Sequence, residues 1–215
     1  MELAGRTVLL TGAAGGIGHH IADVLARRGA RLVLSDITDE KLAGAPLPAG
    51  ATRIAADLRS MDAISELVSR AGPIDVLINN AGLEYTGAYH DQSASELAGI
   101  LHVNLHAPME LIRLVVPSMI ERGGGHVVNL GSISGKGPAP FLAAYGTTKA
   151  GLIELTRSLR VEFRGSGVRF SAVSPGFIER EGMYARMVDG DSSLRAPRAL
   201  GTSPPEQVAH AVVKV

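Results

Sequence analysis

The sequence predicts an α/β fold: a doubly wound parallel sheet between two helical layers (three-layer αβα), in a single domain. Three observations predict it. Apolar runs of strand length alternate with helix-period segments along all 215 residues, a glycine-rich turn joins the first strand to the first helix, and the second strand ends on an acid. Alternation of this kind gives a parallel sheet covered on both faces. At 46% hydrophobic residues the chain buries one sizeable core, and its length gives one domain over 1–215.

The elements follow in order. The first strand, 6–11, runs into Gly12-Ala13-Ala14-Gly15-Gly16-Ile17-Gly18, then a helix over 17–28 carried by the apolar period Ile21, Ala22, Val24, Leu25. A second strand covers 31–36 and ends in Asp36. Segment 41–50 holds two prolines and two glycines, so the crossover helix there is expected to be short or absent. Further strands are expected at 52–56, 74–79, 125–131 and 167–174, and helices at 60–71, 93–102, 104–122, 145–164 and 204–214. The last helix starts well, on Ser203-Pro204-Pro205-Glu206, but runs to Val215 with no closing strand after it. The expectation is either a truncated sequence or a fold that has lost its last strand and leaves a sheet edge open.

Composition excludes several function classes. Lys plus Arg equals Asp plus Glu, 21 each, with no basic cluster, so neither nucleic acid nor an anionic membrane is indicated and small molecules are the expected partners. The absence of cysteine excludes disulfides, thiol catalysis and cysteine-ligated metal, and fits a reducing cytoplasm. No signal peptide opens the chain, and the most apolar helix, 105–120, is interrupted by His106, Glu110 and Arg113. The seven histidines form no metal set, and no metal is expected.

The chemistry is carried by Ser132, Tyr145 and Lys149. On a helix Tyr145 and Lys149 are four apart and share a face, which sets an ammonium beside a phenol whose free pKa is about 10. Bringing that phenol to working pH takes a shift of roughly 2 to 3 units, about 3 to 4 kcal/mol, and a nearby cation in a poorly solvated cleft can supply it. The expectation is that Lys149 lowers the pKa of Tyr145, and that Ser132 orients a substrate oxygen. The pair alone also arises by chance on helix faces. The glycine turn adds context, because it lets backbone N–H groups and a helix N-terminus approach a pyrophosphate. Asp36, 18 residues after Gly18, falls where a dinucleotide fold of the Rossmann type places a carboxylate on the adenosine ribose.

On these residues the chain resembles the short-chain dehydrogenase/reductase family over nearly its whole length. Thr11-Gly12-Ala13-Ala14-Gly15-Gly16-Ile17-Gly18 matches TGxxxGxG, Asn79-Asn80-Ala81-Gly82 matches NNAG, and Tyr145 to Lys149 matches YxxxK. The resemblance implies catalytic roles for Asn104, Ser132, Tyr145 and Lys149. It implies cofactor contacts from Gly12, Gly16, Ile17, Gly18, Asp36, Asp57, Leu58, Asn80, Ala81 and Gly82, from Tyr145 and Lys149, and from Pro175, Gly176 and Ile178 beside the nicotinamide. Asn104 is expected to hold a water linking Lys149 to solvent, or to cap the helix that follows it; the two roles are compatible. Asp57 is equally readable as a turn residue. Ser134, eleven before Tyr145, is the less suitable serine, since the family counts thirteen. Glu84 and Tyr85 follow NNAG and read as loop residues that could face substrate.

The resemblance further implies a hydride-transferring oxidoreductase, with Tyr145 as acid/base on a secondary alcohol or ketone. A 2′-phosphate near Asp36 would meet a like charge, at about 4 kcal/mol at 4 Å and an effective dielectric of 20, so the expected cofactor is NAD. The family's lid would begin at Phe177 and reach about Ser203, with Arg180 where a threonine is usual. Its apolar residues, with Phe141 and Leu142, lean toward a partly hydrophobic alcohol or ketone over a sugar. A homodimer or homotetramer is expected through the helices at 104–122 and 145–164. An enoyl reductase or epimerase is disfavoured by the Tyr-to-Lys spacing and the form of the glycine turn. An NAD-binding sensor or scaffold without turnover stands as the alternative.

Overall fold

The computed structural model describes residues 2–179 and 201–215. Six strands, β1 (Thr7–Thr11), β2 (Arg31–Asp36), β3 (Thr52–Ala55), β4 (Val76–Asn79), β5 (Gly125–Leu130) and β6 (Val168–Val173), form one parallel sheet in the order β3-β2-β1-β4-β5-β6. Leu9 of β1 pairs with Val33 on one side and Leu77 on the other, and all three are buried. The chain winds outward from β1 in both directions. This reversal opens a crevice beyond the strands' C-terminal ends, between β1 and β4.

Helices α1 (Gly18–Arg27), α2 (Asp39–Gly44), α3 (Met61–Ala71), α4 (Ala94–Leu101), α5 (Ala107–Glu121), α6 (Ala143–Glu162) and α7 (Pro205–Lys214) complete the fold. On one face of the sheet Ile21, Ala22 and Leu25 of α1 and Val208, Ala209 and Val212 of α7 share a core with Val8, Leu10 and Ile78. On the other, Ile64 and Leu67 of α3 and Leu111, Val115 and Met119 of α5 pack on Leu9, Leu77 and Val127. As segment 41–50 predicts, α2 is only six residues long. Among the described residues β6 is a sheet edge.

The structure corrects one boundary. Where the sequence suggests two helices separated near residue 103, α4 and α5 form one continuous helix joined by a π-turn, His102–His106, with the Ala107 N–H reaching back to the His102 carbonyl. Such wide turns insert one residue into the helical ladder. The flanking residues Leu101 and His106 are helical, so Asn104 does not cap a helix.

A buried polar chain fixes α6 against the sheet. Asn79 on β4 donates to Asn129 on β5 at 2.8 Å, and Asn129 donates to the Thr156 hydroxyl of α6 at 2.9 Å. Buried amides of this kind set register, because a shifted helix would leave them unpaired. The helix so fixed carries Tyr145 and Lys149 at its start.

Candidate active site

The crevice holds a cavity of about 960 Å³. Its wall at β1 is the glycine turn. A Cβ on Gly12, whose φ is +64°, would lie 2.7 Å from Ala81 Cα, and one on Gly18 would overlap the Gly12 carbonyl oxygen. The turn therefore packs backbone on backbone. Asn80 braces it, its side-chain amide donating to the carbonyls of Thr11 and Gly12 at 3.1 and 2.9 Å. The buried Thr11 hydroxyl accepts from the N–H groups of Asn80 and Ala81, both at 3.2 Å. Thr11, the first residue of the TGxxxGxG motif, is thus a structural member of the site. Helix α1 begins at this turn with no side-chain cap and no acid in its first turn, unlike α2, α3 and α4. An uncapped helix N-terminus behind a glycine turn suits a pyrophosphate.

Asp36, at the end of β2, lines the cavity and accepts from the N–H groups of Ala14 and Ile37 at 3.0 and 2.9 Å. It ties the second strand to the glycine turn and sets a carboxylate on the cavity wall. Asp57 follows β3. Its carboxylate accepts from the Arg59 guanidinium at 2.7 to 3.1 Å and from the Arg59 N–H at 3.0 Å, and this pairing holds it below the usual carboxylate range. Asp57 is thus a turn residue as well as a cavity residue. Arg59 and Lys41 also line this end, and sequence reading identified neither.

The opposite end is built by the loop after β5 and the first turns of α6. Cβ atoms on Gly146 and Gly135 would lie 2.7 Å from the Ser134 carbonyl oxygen and from the Ala150 nitrogen, so loop and helix touch through backbone. That contact delivers Ser132 to Tyr145. The Ser132 hydroxyl bonds the Tyr145 phenol and accepts from the Ser134 N–H at 3.2 Å. Ser134 lines the same cavity, yet Ser132 is the serine that meets the tyrosine. Lys149, one helical turn on, donates its ammonium to the Leu130 carbonyl at 2.8 Å and lies 5.6 Å from the centroid of the Tyr145 ring.

The electrostatics run opposite to the sequence expectation. Burial pushes the Tyr145 phenol up to about 12, offset in part by Ser132 and reinforced by the charge of Glu84. Burial likewise pushes Lys149 down to about 8. Lys149 is buried and Tyr145 is half-buried at the cavity wall, and desolvation opposes the charged form of each. Spacing on a helix predicts their proximity; it does not predict how far each is withdrawn from water.

Asn104 is fully buried and does not line the cavity. Its carbonyl accepts from the Leu83 N–H at 2.7 Å, and its amide donates to the Leu83 carbonyl at 2.8 Å and to the Thr148 hydroxyl at 3.2 Å. The side chain clamps the segment after β4 to α6. Pro108 has no N–H to give the Asn104 backbone carbonyl four residues before it. Sequence alone held that signal.

The other catalytic and cofactor residues named from the sequence, Gly12, Gly16, Ile17, Gly18, Asp36, Asp57, Leu58, Asn80, Ala81, Gly82, Ser132, Tyr145, Lys149, Pro175, Gly176 and Ile178, lie on the wall of this one cavity; of the apolar pair named with the lid, Leu142 lies there and Phe141 does not. Glu84 and Tyr85 lie there too. Arg180 and most of the expected lid fall outside the described residues. Among the described residues no group of three or more His, Asp or Glu side chains is placed to hold a metal, and no helix is long and apolar enough to cross a membrane.

Comparison with known proteins identifies the family. The family model described as short chain dehydrogenase matches residues 6–189. Ketoacyl reductase HetN of Nostoc sp. is 44% identical over 221 residues, spanning 99% of this chain and 75% of that protein. D-xylose 1-dehydrogenase of Caulobacter vibrioides is 35% identical over 230 residues, spanning 99% and 88%. Among solved structures, a short chain dehydrogenase/reductase family protein superimposes with a TM-score of 0.89 at 32% identity, covering 99% of this chain and 90% of that one. The 3-oxoacyl (acyl-carrier-protein) reductase from Agrobacterium tumefaciens, solved with NADP bound, gives 0.87 at 28% identity, covering 98% and 87%.

Proposed function

The chain belongs to the short chain dehydrogenase family, and from that premise we propose that it is an NAD(H)-dependent oxidoreductase interconverting a secondary alcohol and a ketone. One observation carries the reading: Ser132, Tyr145 and Lys149 meet at one end of a cavity whose other end is a glycine turn, an uncapped helix N-terminus and an acid at the end of β2. Gly12, Gly16, Ile17 and Gly18 would hold the pyrophosphate and Asp36 the adenosine ribose. Leu58 and Asp57 would lie at the adenine, and Asn80, Ala81, Gly82, Pro175, Gly176 and Ile178 along the rest of the cofactor. Bound there, the nicotinamide supplies or accepts the hydride.

The protein's own part is proton transfer and orientation. Ser132 holds the substrate oxygen beside Tyr145. In reduction the phenol, neutral at physiological pH, gives its proton to the carbonyl oxygen as the hydride reaches the carbon. In oxidation the tyrosinate takes the alcohol proton. Lys149 would bond the nicotinamide ribose, and its charge would favour the tyrosinate. Asn104 acts through position, holding the segment after β4 against α6; its backbone carbonyl, which Pro108 cannot serve, is the group that would hold a relay water.

Asp36 favours NAD, since a 2′-phosphate beside it would face a like charge. The absence of cysteine favours a cytoplasmic setting. Exposed Leu101, Met109 and Val161 on the α4–α5 and α6 helices favour a homodimer or homotetramer, and a monomer by light scattering at micromolar concentration would count against it. The function is tested by following NADH with secondary alcohols, steroids, hydroxyacyl esters and polyols, with an NADP control. NAD-linked turnover of one class supports the reading; binding of NAD with no turnover of any would move the protein to the sensor class.

A further inference from the structure

We propose that Thr148, buried behind the cavity wall, is a positioning residue that fixes the separation between the cofactor's side of the site and the Tyr145 phenol. The inference rests on the function proposed above and deepens it. Thr148 occupies an unspecified place of YxxxK and does not line the cavity.

Four hydrogen bonds join two walls of the cavity from behind. Leu83, on the wall that also holds Asn80, Ala81 and Gly82, gives its N–H to the Asn104 side-chain carbonyl at 2.7 Å and accepts from the Asn104 amide at 2.8 Å. The same amide donates to the Thr148 hydroxyl at 3.2 Å, and that hydroxyl donates to the backbone carbonyl of Tyr145 at 2.7 Å. Asn104 and Thr148 are both fully buried. A hydroxyl whose proton is committed to a helix carbonyl can only accept on its other side, and the group facing it is the amide donor of Asn104. The path therefore runs from the segment after β4 to the residue that carries the phenol, with both intermediate side chains shielded from water.

Hydride and proton go to neighbouring atoms of one carbonyl group, so nicotinamide and phenol have to be held at one separation. A misplacement of about 1 Å costs on the order of 100-fold in rate. Lys149 ties α6 to the end of β5, and Thr148 ties the same turn of α6 to the segment after β4. Thr156, about 12 Å further along the helix, offers a chemical match. Its hydroxyl donates to the Leu152 carbonyl at 2.7 Å and accepts from the Asn129 amide at 2.9 Å. It is buried like Thr148, yet its bonds reach neither Leu83 nor Tyr145. The two threonines thus separate what such a hydroxyl does for stability from what it does for the site.

The test compares Thr148→Val, which keeps the shape and removes the hydroxyl, with Thr148→Ser and Thr156→Val, using NAD and the secondary alcohol of the panel that wild type turns over fastest. Thr148→Val is expected to lose roughly 10- to 100-fold in kcat, with the Kd for NAD within about threefold of wild type. Thr148→Ser, which restores the hydroxyl, should keep kcat within about threefold of wild type. Thr156→Val should lower the urea midpoint as much as Thr148→Val does and still keep kcat within about threefold. If Thr148→Val does not fold, Thr148→Ser against Thr148→Ala isolates the same hydroxyl, and the serine variant should be at least roughly tenfold faster. A Thr148→Val protein with wild-type kcat overturns the proposal. So does an equal loss of kcat in the two valine variants, which would make the effect one of stability. In either case an inactive Tyr145→Phe leaves the oxidoreductase reading standing, whereas a wild type with no Tyr145-dependent turnover overturns both.

Discussion

Lys149 donates its ammonium to the carbonyl oxygen of Leu130, 2.8 Å away, and so ties helix α6 to the end of β5. The lysine is held by the sheet. Its charge is costly there, since burial brings its pKa to about 8 from 10.5. Below pH 8 the lysine is charged in both folded and unfolded chains and the penalty is complete. Between about 8 and 10.5 the unfolded chain alone keeps the proton, so stability rises with pH.

The expected gain between pH 8 and pH 10 is about 2 to 3 kcal/mol. Urea unfolding at the two pH values measures it, and Lys149→Met should be flat over the same range. Tyr145, pushed up to about 12, opposes the trend only above its unfolded value of 10.

His126 gives the opposite end of the pH scale. It is 3% exposed on β5, with Nε2 at 2.9 Å from the Ser171 hydroxyl and Nδ1 without a hydrogen-bond partner. Burial, then the charges of Arg169 and Arg160 among others, push it down to about 4 from 6.5. The unfolded chain takes up the proton first, so stability is lost as pH falls from about 6.5 to about 4, by up to about 3 kcal/mol. Denaturation of His126→Gln across that range should show a shallower loss than wild type.

Gly146 tests how Ser132 is placed. A methyl there would lie 2.7 Å from the Ser134 carbonyl oxygen, so Gly146→Ala must push the 132–135 loop off α6. We expect about 1 to 3 kcal/mol of destabilisation and a fall in kcat on the order of 100-fold, with NAD affinity little changed. Equilibrium unfolding, steady-state kinetics and NAD titration separate the three effects.

Asp36→Asn isolates cofactor choice, because the amide oxygen can still accept from the Ala14 N–H while the charge is gone. The preference for NAD over NADP in kcat/KM should fall by roughly 100-fold. An unchanged ratio would place discrimination elsewhere.

Much of this was legible in the sequence, for physical reasons. Strands buried on both faces appear as unbroken apolar runs such as Val8-Leu9-Leu10 and Val76-Leu77-Ile78, and a turn that packs backbone on backbone needs the glycines at 12 and 18. What was not legible depends on depth and on distant strands. The i, i+4 spacing of Tyr145 and Lys149 set the pair together but carried no information on burial, and burial reverses the direction of the phenol's shift. Asn104 read as a cap because polar residues before an apolar run often are, and Pro108 in the first turn of α5 strengthened that reading; the π-turn that carries the helix through Asn104 left no mark in the sequence.

The central claim is that Tyr145 moves the proton while the nicotinamide moves the hydride. Its most direct test is NADH formation by Tyr145→Phe beside wild type, with NAD binding measured on both. The variant should bind NAD within about threefold of wild type and lose at least roughly 1,000-fold in kcat. A variant that binds NAD and keeps a tenth of wild-type turnover would contradict the account.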